Sequence, residues 1–291
     1  MVSFFYTPRT DFAKELISDD KNGYKVFTKT NNDIVTTKVV IENKNNALNR
    51  KIGTYYSIEF ESLKDKSNRD ALIKELSYEL KLLLKHKGFK YGDTVLVVGL
   101  GNKYVTADAL GPESAINVNV TNHIYEMDFM SLPKDSSRVC VLTPGVMGQT
   151  GMETSDIIKS INTKLKASFV IVIDALASMN IKRINKMIQI TDTGISPGSG
   201  VGNKRKGIDK ETLKTEVIAI GVATVVEVSN IVHQLLRKLN VKPNKQILGI
   251  LEENEYQLVV TPKDIDEDIS FLSEVISTSI NMALHKNYSL F

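Results

Sequence analysis

Two aspartates follow two apolar segments, and this placement is the strongest chemical signal in the chain. Residues 95–98 open into a glycine-containing loop that leads to Asp108, and residues 169–173 end directly on Asp174. Continuous apolar runs of this length are typical of buried parallel strands, and reacting groups collect at the carboxyl ends of such strands. If both strands lie in one sheet, we expect the two carboxylates to face one crevice.

A pair of neighbouring carboxylates is suited to activating water. Two carboxylates held close together cannot both ionise cheaply, so one keeps its proton while the other can accept a proton from water. Water activated in this way can attack an amide. Asp108 and Asp174 could instead cap helices; the residue types alone favour this interpretation and do not overturn it.

Two loops have the composition of turns or anion sites. Residues 99–102 lack the third glycine of the dinucleotide fingerprint and the Lys-Ser/Thr pair of a P-loop, so they indicate a tight turn more than a nucleotide site. Residues 143–154 carry three glycines, whose free N–H groups would suit an oxyanion or a peptide backbone. Glu153 and Thr154, at the end of that loop, are equally expected to cap the following helix.

A third loop, residues 193–207, combines five glycines with a cluster of cations at its end, Lys204, Arg205 and Lys206. This composition favours a functional loop that holds a phosphate or an acidic side chain. A solvated basic loop is the alternative.

Other catalytic chemistries find little support. The histidines are scattered and there is no HExxH or CxxC pattern, so no recognisable zinc site is expected. Ser199 does not lie in a G-x-S-x-G sequence, which argues against a serine triad. Cys140 lies in an apolar run and is interpreted as a buried structural thiol.

Size and composition are those of a globular protein. The chain has 291 residues and is 42% hydrophobic, and it contains no apolar run long enough to cross a membrane. Its first residues do not resemble a secretory signal, so we expect a cytoplasmic location without membrane association. A net charge of +3 is too weak to indicate direct binding of nucleic acid.

Alternating strand and helix patterns position the two aspartates. The alternation predicts an α/β fold of three layers, a mainly parallel sheet with helices on both faces. We predict strands at 94–99, 138–143, 169–174, 187–192 and 216–221, and helices at 111–119, 154–166, 224–239 and 263–284. Before them we predict a charged surface segment at 9–15, antiparallel strands at 34–42 and 55–61, and a helix at 69–87.

Longer blocks between residues 94 and 284 carry a family resemblance. In order, they read VVGLGNKYVTADALGP, TPGVMGQTGMETSDII, VIDALAS, ITDTGISPGSGVGNKRKGI, VIAIGVATVV and LVVTPKDID. Together they resemble successive blocks of the germination protease family, the spore endopeptidases that degrade small acid-soluble spore proteins when an endospore germinates. The resemblance implies a fold similar to that of hydrogenase maturation endopeptidases, a homotetramer, and synthesis as an inactive zymogen in the spore core.

The same resemblance assigns roles to the aspartates. Members of the family have been viewed as atypical aspartic peptidases, and their two proposed catalytic aspartates match Asp108 and Asp174. With this resemblance, the catalytic interpretation outweighs capping. No cofactor and no metal are expected.

The amino terminus resembles the self-processing site of the family. Residues 9–15, RTDFAKE, carry an acidic residue followed by an apolar one, and we predict cleavage between Asp11 and Phe12. The chain then divides into a propeptide at 1–11 and a single peptidase domain at 12–291, with amino-terminal strands and a helix at 12–90 and the core carrying the site at 91–291.

A substrate cut after an acidic residue requires a cationic pocket. Arginine is the preferred partner because it grips a carboxylate through two hydrogen bonds. The predicted substrate-binding residues are Asn102, Gly148, Glu153, Lys204 and Arg205.

The chain departs from the family in two places. The segment 239–257 is shorter than the insertion common in the family, and Glu227 stands where an aspartate is frequent. The short segment bears on assembly and substrate access.

Two other functions remain as hypotheses. A metal-dependent endopeptidase of the hydrogenase maturation type would bind nickel through carboxylates and a histidine, for which His123 is nearest. A nucleotide- or phosphate-binding module without catalysis would use residues 99–102 and 204–206.

Overall fold

A mixed sheet forms the centre of the protein. The computed structural model describes residues 9–127, 135–197, 205–241, 249 and 258–288. Within these ranges nine strands share one sheet. They are β1 Tyr24–Asn31, β2 Ile34–Ile41, β3 Gly53–Glu59, β4 Thr94–Gly99, β5 Arg138–Leu142, β6 Phe169–Ser178, β7 Met187–Thr191, β8 Glu216–Glu227 and β9 Val259–Val260.

The strand order is β1-β2-β3-β7-β8-β6-β4-β5, and β9 pairs with the end of β8. The strands β5, β4, β6 and β8 are parallel neighbours, so the α/β class is confirmed. The predicted antiparallel pairing of the two early strands is also present, between β2 and β3. However, β7 runs antiparallel to both of its neighbours, because residues 179–186 are too few for the crossover that a parallel strand requires.

Helices cover the sheet on both faces. They are α1 Lys66–His86, α2 Leu110–Ile116, α3 Asn122–Met127, α4 Met147–Thr150, α5 Thr154–Leu165, α6 Lys210–Leu213, α7 Val228–Lys238 and α8 Ile265–Leu284. None of the helices in the described ranges has the length and apolar character needed to span a membrane.

Alternate residues of the parallel strands point into two apolar cores. Val97 of β4 belongs to the larger core, which also contains Leu76 of α1 and Ile276 of α8. Leu96, the preceding residue, packs with Ile158 of α5 in the smaller core on the opposite face. Because each strand is buried on both faces, its sequence is continuously apolar, which is the pattern that identified these strands.

Two sequence predictions were wrong in ways that matter for the site. The helix predicted from residue 224 begins at Val228, because β8 continues through a β-branched stretch to Glu227. The charged segment at 9–15 is not a surface segment, since Phe12 and Ala13 have no exposed area and Glu15 is buried.

Close packing at Gly111 joins the sheet to the first residues of α2. A Cβ atom at this position would lie 2.1 Å from the carbonyl oxygen of Leu100 and 2.6 Å from that of Ile173. Both contacts are with main-chain atoms, which cannot move aside without shifting β4 or β6.

We predict that Gly111→Ala lowers the free energy of unfolding by about 1–3 kcal/mol, the usual cost of overpacking a close-packed site. Gly148→Ala is the matched control, because nothing lies within 4 Å of a Cβ atom there. Its effect on stability should stay within about 1 kcal/mol and tend to be favourable, since alanine favours α4. Urea denaturation measures both; equal effects for the two variants would contradict the packing argument.

Candidate active site

Asp108 is held in a loop at the carboxyl end of β4. The chain turns after Gly99 and forms a short 3₁₀ turn, Thr106–Asp108, before α2 begins. The main-chain N–H of Asn102 donates a hydrogen bond of 2.7 Å to Asp108 Oδ2. Gly101 has a φ of +115°, and a Cβ atom there would lie 2.0 Å from the carbonyl oxygen of Asp108, so a glycine is required at this turn.

Asp174 lies inside the sheet. It belongs to β6, which continues to Ser178 instead of ending at the aspartate, and it is paired in register with Gly221 of β8. Its exposed fraction is 6%, and its Oδ1 accepts a hydrogen bond of 3.0 Å from the N–H of Ala175. Asp108 and Asp174 line the same cleft, which has a volume of about 330 Å³.

The two carboxyl groups differ in their affinity for a proton. Burial raises the pKa of Asp174 well above its ordinary value, and the negative charges of Asp108 and Asp11 raise it further. Burial also raises the pKa of Asp108. It outweighs the hydrogen bond from Asn102 and the positive charge of Arg205, both of which lower this pKa. Asp174 therefore favours the protonated form, while Asp108 is better placed to carry the negative charge.

Within the part of the chain that the structure describes, Arg205 is the cation that lines this cleft. It lines the cleft together with both aspartates, and its charge lowers the pKa of each. Its neighbour Lys206 lies outside the cleft, where Nζ is 2.9 Å from Asp156 at the surface. Lys204 falls outside the described residues.

The other predicted binding residues lie at different distances from the aspartates. Asn102 reaches Asp108 through its main-chain N–H, and its side-chain oxygen accepts a hydrogen bond of 2.7 Å from Gln149. Gly148 and Glu153 are not among the residues that line the cleft, whereas Gly145, Val146 and Thr154 of the same loop are. Glu153 precedes α5 without making a side-chain cap.

The histidine considered as a metal ligand lies elsewhere. His123 is exposed on α3 and does not line the cleft. In the parts of the chain that the structure describes, no group of three His, Cys, Asp or Glu side chains is arranged to hold a metal ion.

Asp11 also lines this cleft and is bonded to the sheet. Its N–H donates to the carbonyl oxygen of Ala177 at 3.0 Å, and its Oδ2 accepts from the N–H of Ala177 at 3.0 Å. Its carbonyl oxygen accepts a hydrogen bond of 3.2 Å from Nε2 of Gln189. Because Ala177 lies on β6 and Gln189 on β7, the segment crosses the face of β8, the strand between them.

The residues that follow Asp11 are held equally closely. Phe12 packs without exposed area against Leu176, Met187 and Ala223. The buried carboxylate of Glu15 lies 3.2 Å from Arg183 and accepts hydrogen bonds of 2.6 Å from Ser178 Oγ and 2.8 Å from the N–H of Met179. The segment 9–15 is therefore bound on both sides of the Asp11–Phe12 bond.

Sequence reasoning missed the residues that bind this segment. Gln189 interrupts the apolar strand MIQIT, and such a buried polar residue needs partners, which was a usable signal. Arg183 follows no recognisable pattern, because it is brought to Glu15 by the fold alone.

Two carboxylates of unequal proton affinity, sharing a cleft near the ends of parallel strands, form the arrangement expected of an enzyme active site. Comparison with known protein sequences also indicates an enzyme, and it identifies the family. The family model for germination protease matches residues 7–239. The chain belongs to the germination protease family, and it is a peptidase.

Individual relatives match along nearly the whole chain. The germination protease of Bacillus pumilus (strain SAFR-032) is 35% identical over 352 residues, covering 98% of this chain and 95% of that protein. The germination protease of Bacillus thuringiensis subsp. konkukian (strain 97-27) is 34% identical over 345 residues, covering 96% and 94%. The aligned lengths exceed 291 residues, so these relatives contain residues that this chain lacks.

The raised pKa of Asp174 predicts how stability depends on pH. A carboxyl group with a higher pKa in the folded state contributes stability below its ordinary pKa of about 4, and this contribution is lost as the pH rises through the folded value. We therefore expect Asp174→Asn to gain stability relative to the native chain as the pH rises from about 3 to about 8.

Asp209 provides a control of opposite sign. Its pKa is lowered: burial opposes the shift, but hydrogen bonds from Lys51 and Thr212 outweigh it. Asp209→Asn should destabilise the protein at neutral pH, with a deficit that shrinks as the pH falls through the lowered pKa. Denaturation curves across the pH range measure both differences; a pH-independent difference for Asp174→Asn would contradict the prediction.

Proposed function

We propose that this protein is an endopeptidase that starts the degradation of small acid-soluble spore proteins during spore germination. It cuts after an acidic residue, and it is made as a zymogen that cuts its own chain between Asp11 and Phe12. The observation that carries the proposal is the position of Asp11, which lines the same cleft as Asp108 and Asp174. Membership of the germination protease family supports it.

The unequal carboxyl groups support a division of roles. Asp108 accepts a proton from water, and the water oxygen attacks the carbonyl carbon of the acidic residue. The carbonyl becomes a tetrahedral oxyanion, and the C–N bond then breaks. Asp174 gives its proton to the leaving amine, which completes the exchange of one proton at each carboxyl group.

The acidic residue before the cut contributes to this arrangement. The charge of Asp11 is one of the causes that raise the pKa of Asp174. A substrate with an acidic residue in the same place would help to keep Asp174 protonated, while a neutral residue would not. Selectivity for acidic residues thus follows from electrostatics at the catalytic pair as well as from attraction by Arg205.

The remaining features of the proposal rest on the family resemblance. We propose a homotetramer in the cytoplasm of the spore core, without a cofactor and without direct binding of nucleic acid or membrane. Residues 1–8 of the proposed propeptide fall outside the described residues.

We predict that the purified chain cuts a small acid-soluble spore protein and shortens itself to begin at Phe12. Asp108→Asn and Asp174→Asn should each slow both reactions by at least about 100-fold, because each removes one proton-transfer group. Mass spectrometry of the products measures both. A chelator added to the native chain should leave the rates unchanged.

Asp266→Asn is the matched control, since this aspartate is exposed in the first turn of α8 and should keep the native rates. Loss of cleavage on chelation would favour the metal-dependent alternative. Thermal stabilisation by nucleotides without any cleavage would favour the binding module.

We predict that Arg205→Glu reduces the preference for an acidic residue before the cut. The preference is the rate of self-cleavage with Asp11 divided by the rate with Asp11→Asn. It is measured once with Arg205 present and once in the Arg205→Glu variant. That ratio should fall at least about tenfold, because a favourable charge becomes a repulsive one. The self-cleavage optimum should also move to higher pH, since Arg205 lowers the pKa of both Asp108 and Asp174.

Lys206→Glu is the control with the same change of charge outside the cleft. It should leave both the ratio and the optimum as in the native chain. If the two charge reversals behave alike, Arg205 has no specific role in recognition.

A further inference from the structure

Gln189 binds the main chain on both sides of Phe12. This residue lies on β7, is 5% exposed, and is paired in register with Ser57 of β3 and Gly221 of β8. Its Nε2 donates to the carbonyl oxygen of Asp11 at 3.2 Å, and its Oε1 accepts from the N–H of Ala13 at 2.9 Å. A carbonyl can only accept and an N–H can only donate, so the two contacts fix the orientation of the carboxamide.

The two contacts involve no side chain of the bound segment. They would therefore form with any sequence that enters the cleft in the same extended path. Met187, two residues before Gln189 and on the same face of β7, is fully buried and packs with the fully buried Phe12. A buried polar group is costly unless it is hydrogen-bonded. The hydrogen bonds to the segment therefore stabilise this carboxamide more than they would stabilise an exposed carboxamide.

The hydrogen bond from Gln189 to the carbonyl oxygen of Asp11 lies at the bond that the proposed reaction breaks. Under the proposed function, the carbonyl of Asp11 is the group that water attacks. The free N–H groups of the glycine-containing loop 143–154 are one predicted source of stabilisation for an oxyanion. In the structure, the side chain of Gln189 donates to this oxygen from β7, a strand that is fixed by pairing on both sides.

We propose that Gln189 is a further catalytic residue, which binds the scissile carbonyl oxygen and keeps this hydrogen bond as the oxygen becomes negative. The inference rests on the proposed function and deepens it. Gln189 neither gains nor loses a proton during the reaction. The proton of water goes to Asp108, the proton of Asp174 goes to the amine, and Nε2 of Gln189 donates throughout.

The self-cleavage rate of the full chain tests the role of the donor. Gln189→Met keeps a similar length without an N–H group, and Gln189→Glu places a carboxylate beside the developing charge. Loss of one oxyanion donor typically costs about 100- to 1,000-fold in rate, and we expect a fall of this size in both variants. Asp266→Asn, the exposed control variant on α8, should cleave at the native rate.

A second measurement leaves residue 189 intact. Replacing Ala13 by lactic acid turns its amide into an ester and removes the N–H that donates to Oε1. This change should slow self-cleavage by about five- to tenfold in the native chain, the usual worth of one hydrogen bond, and should have no further effect in Gln189→Met. A purely structural role for Gln189 would not produce this coupling.

The outcomes separate the two proposals. Self-cleavage by Gln189→Met within about threefold of the native rate, or an equal ester effect in both backgrounds, overturns the role of Gln189 alone. Absence of cleavage by the native chain overturns the proposed function, and the role of Gln189 with it. Thermal unfolding of each variant identifies any loss of rate that comes from loss of the fold.

Discussion

The burial of Asp174 in β6 is the constraint on which the site depends. The strand lies between β4 and β8 in the middle of the parallel part of the sheet, so its backbone cannot shift to expose the carboxyl group. A negative charge there is expensive, and the group lowers this cost by retaining a proton and by accepting the N–H of Ala175. The apolar cores on the two faces of the sheet stabilise the fold and so offset the cost of burying this carboxyl group.

Asp108 has the opposite kind of support. It lies on a loop outside the sheet, next to a glycine whose backbone conformation brings the chain close to it, and one main-chain N–H favours its ionised form. The difference between the two carboxyl groups therefore comes from their positions in the fold, one on a central strand and one on a loop. Two aspartates can differ in proton affinity, and so be suited to act as an acid and as a base, because the fold places them in different surroundings.

The sequence predicted the central strands well because their signal is local. Strands buried on both faces must be apolar throughout, and Asp108 and Asp174 stood out against that background. The antiparallel direction of β7 was not predictable from its own residues, since it depends on the length of the connection that precedes it. The extension of β8 to Glu227 was missed because short apolar runs do not distinguish a strand from a buried helix.

The binding of the segment 9–15 was missed for a different reason. Its sequence is charged and lacks periodicity, which is typical of a surface segment, and its burial depends on residues more than 150 positions away. The ion pair between Glu15 and Arg183, and the two hydrogen bonds that Gln189 makes with the main chain of the segment, are tertiary contacts that no local pattern encodes. The family resemblance predicted a processing site in this segment but gave no account of what holds it.

The contacts of Phe12 and Glu15 would have a consequence for the chain if the proposed cleavage takes place. Both residues lie on the carboxyl side of the Asp11–Phe12 bond, so cleavage there would leave them attached to the protein as its new terminus. The apolar site around Phe12 and the site around Glu15 would still be filled by a tethered occupant at high effective concentration. An incoming protein would have to displace this terminus before it could bind, so the turnover of a processed molecule would depend on how often its own end detaches.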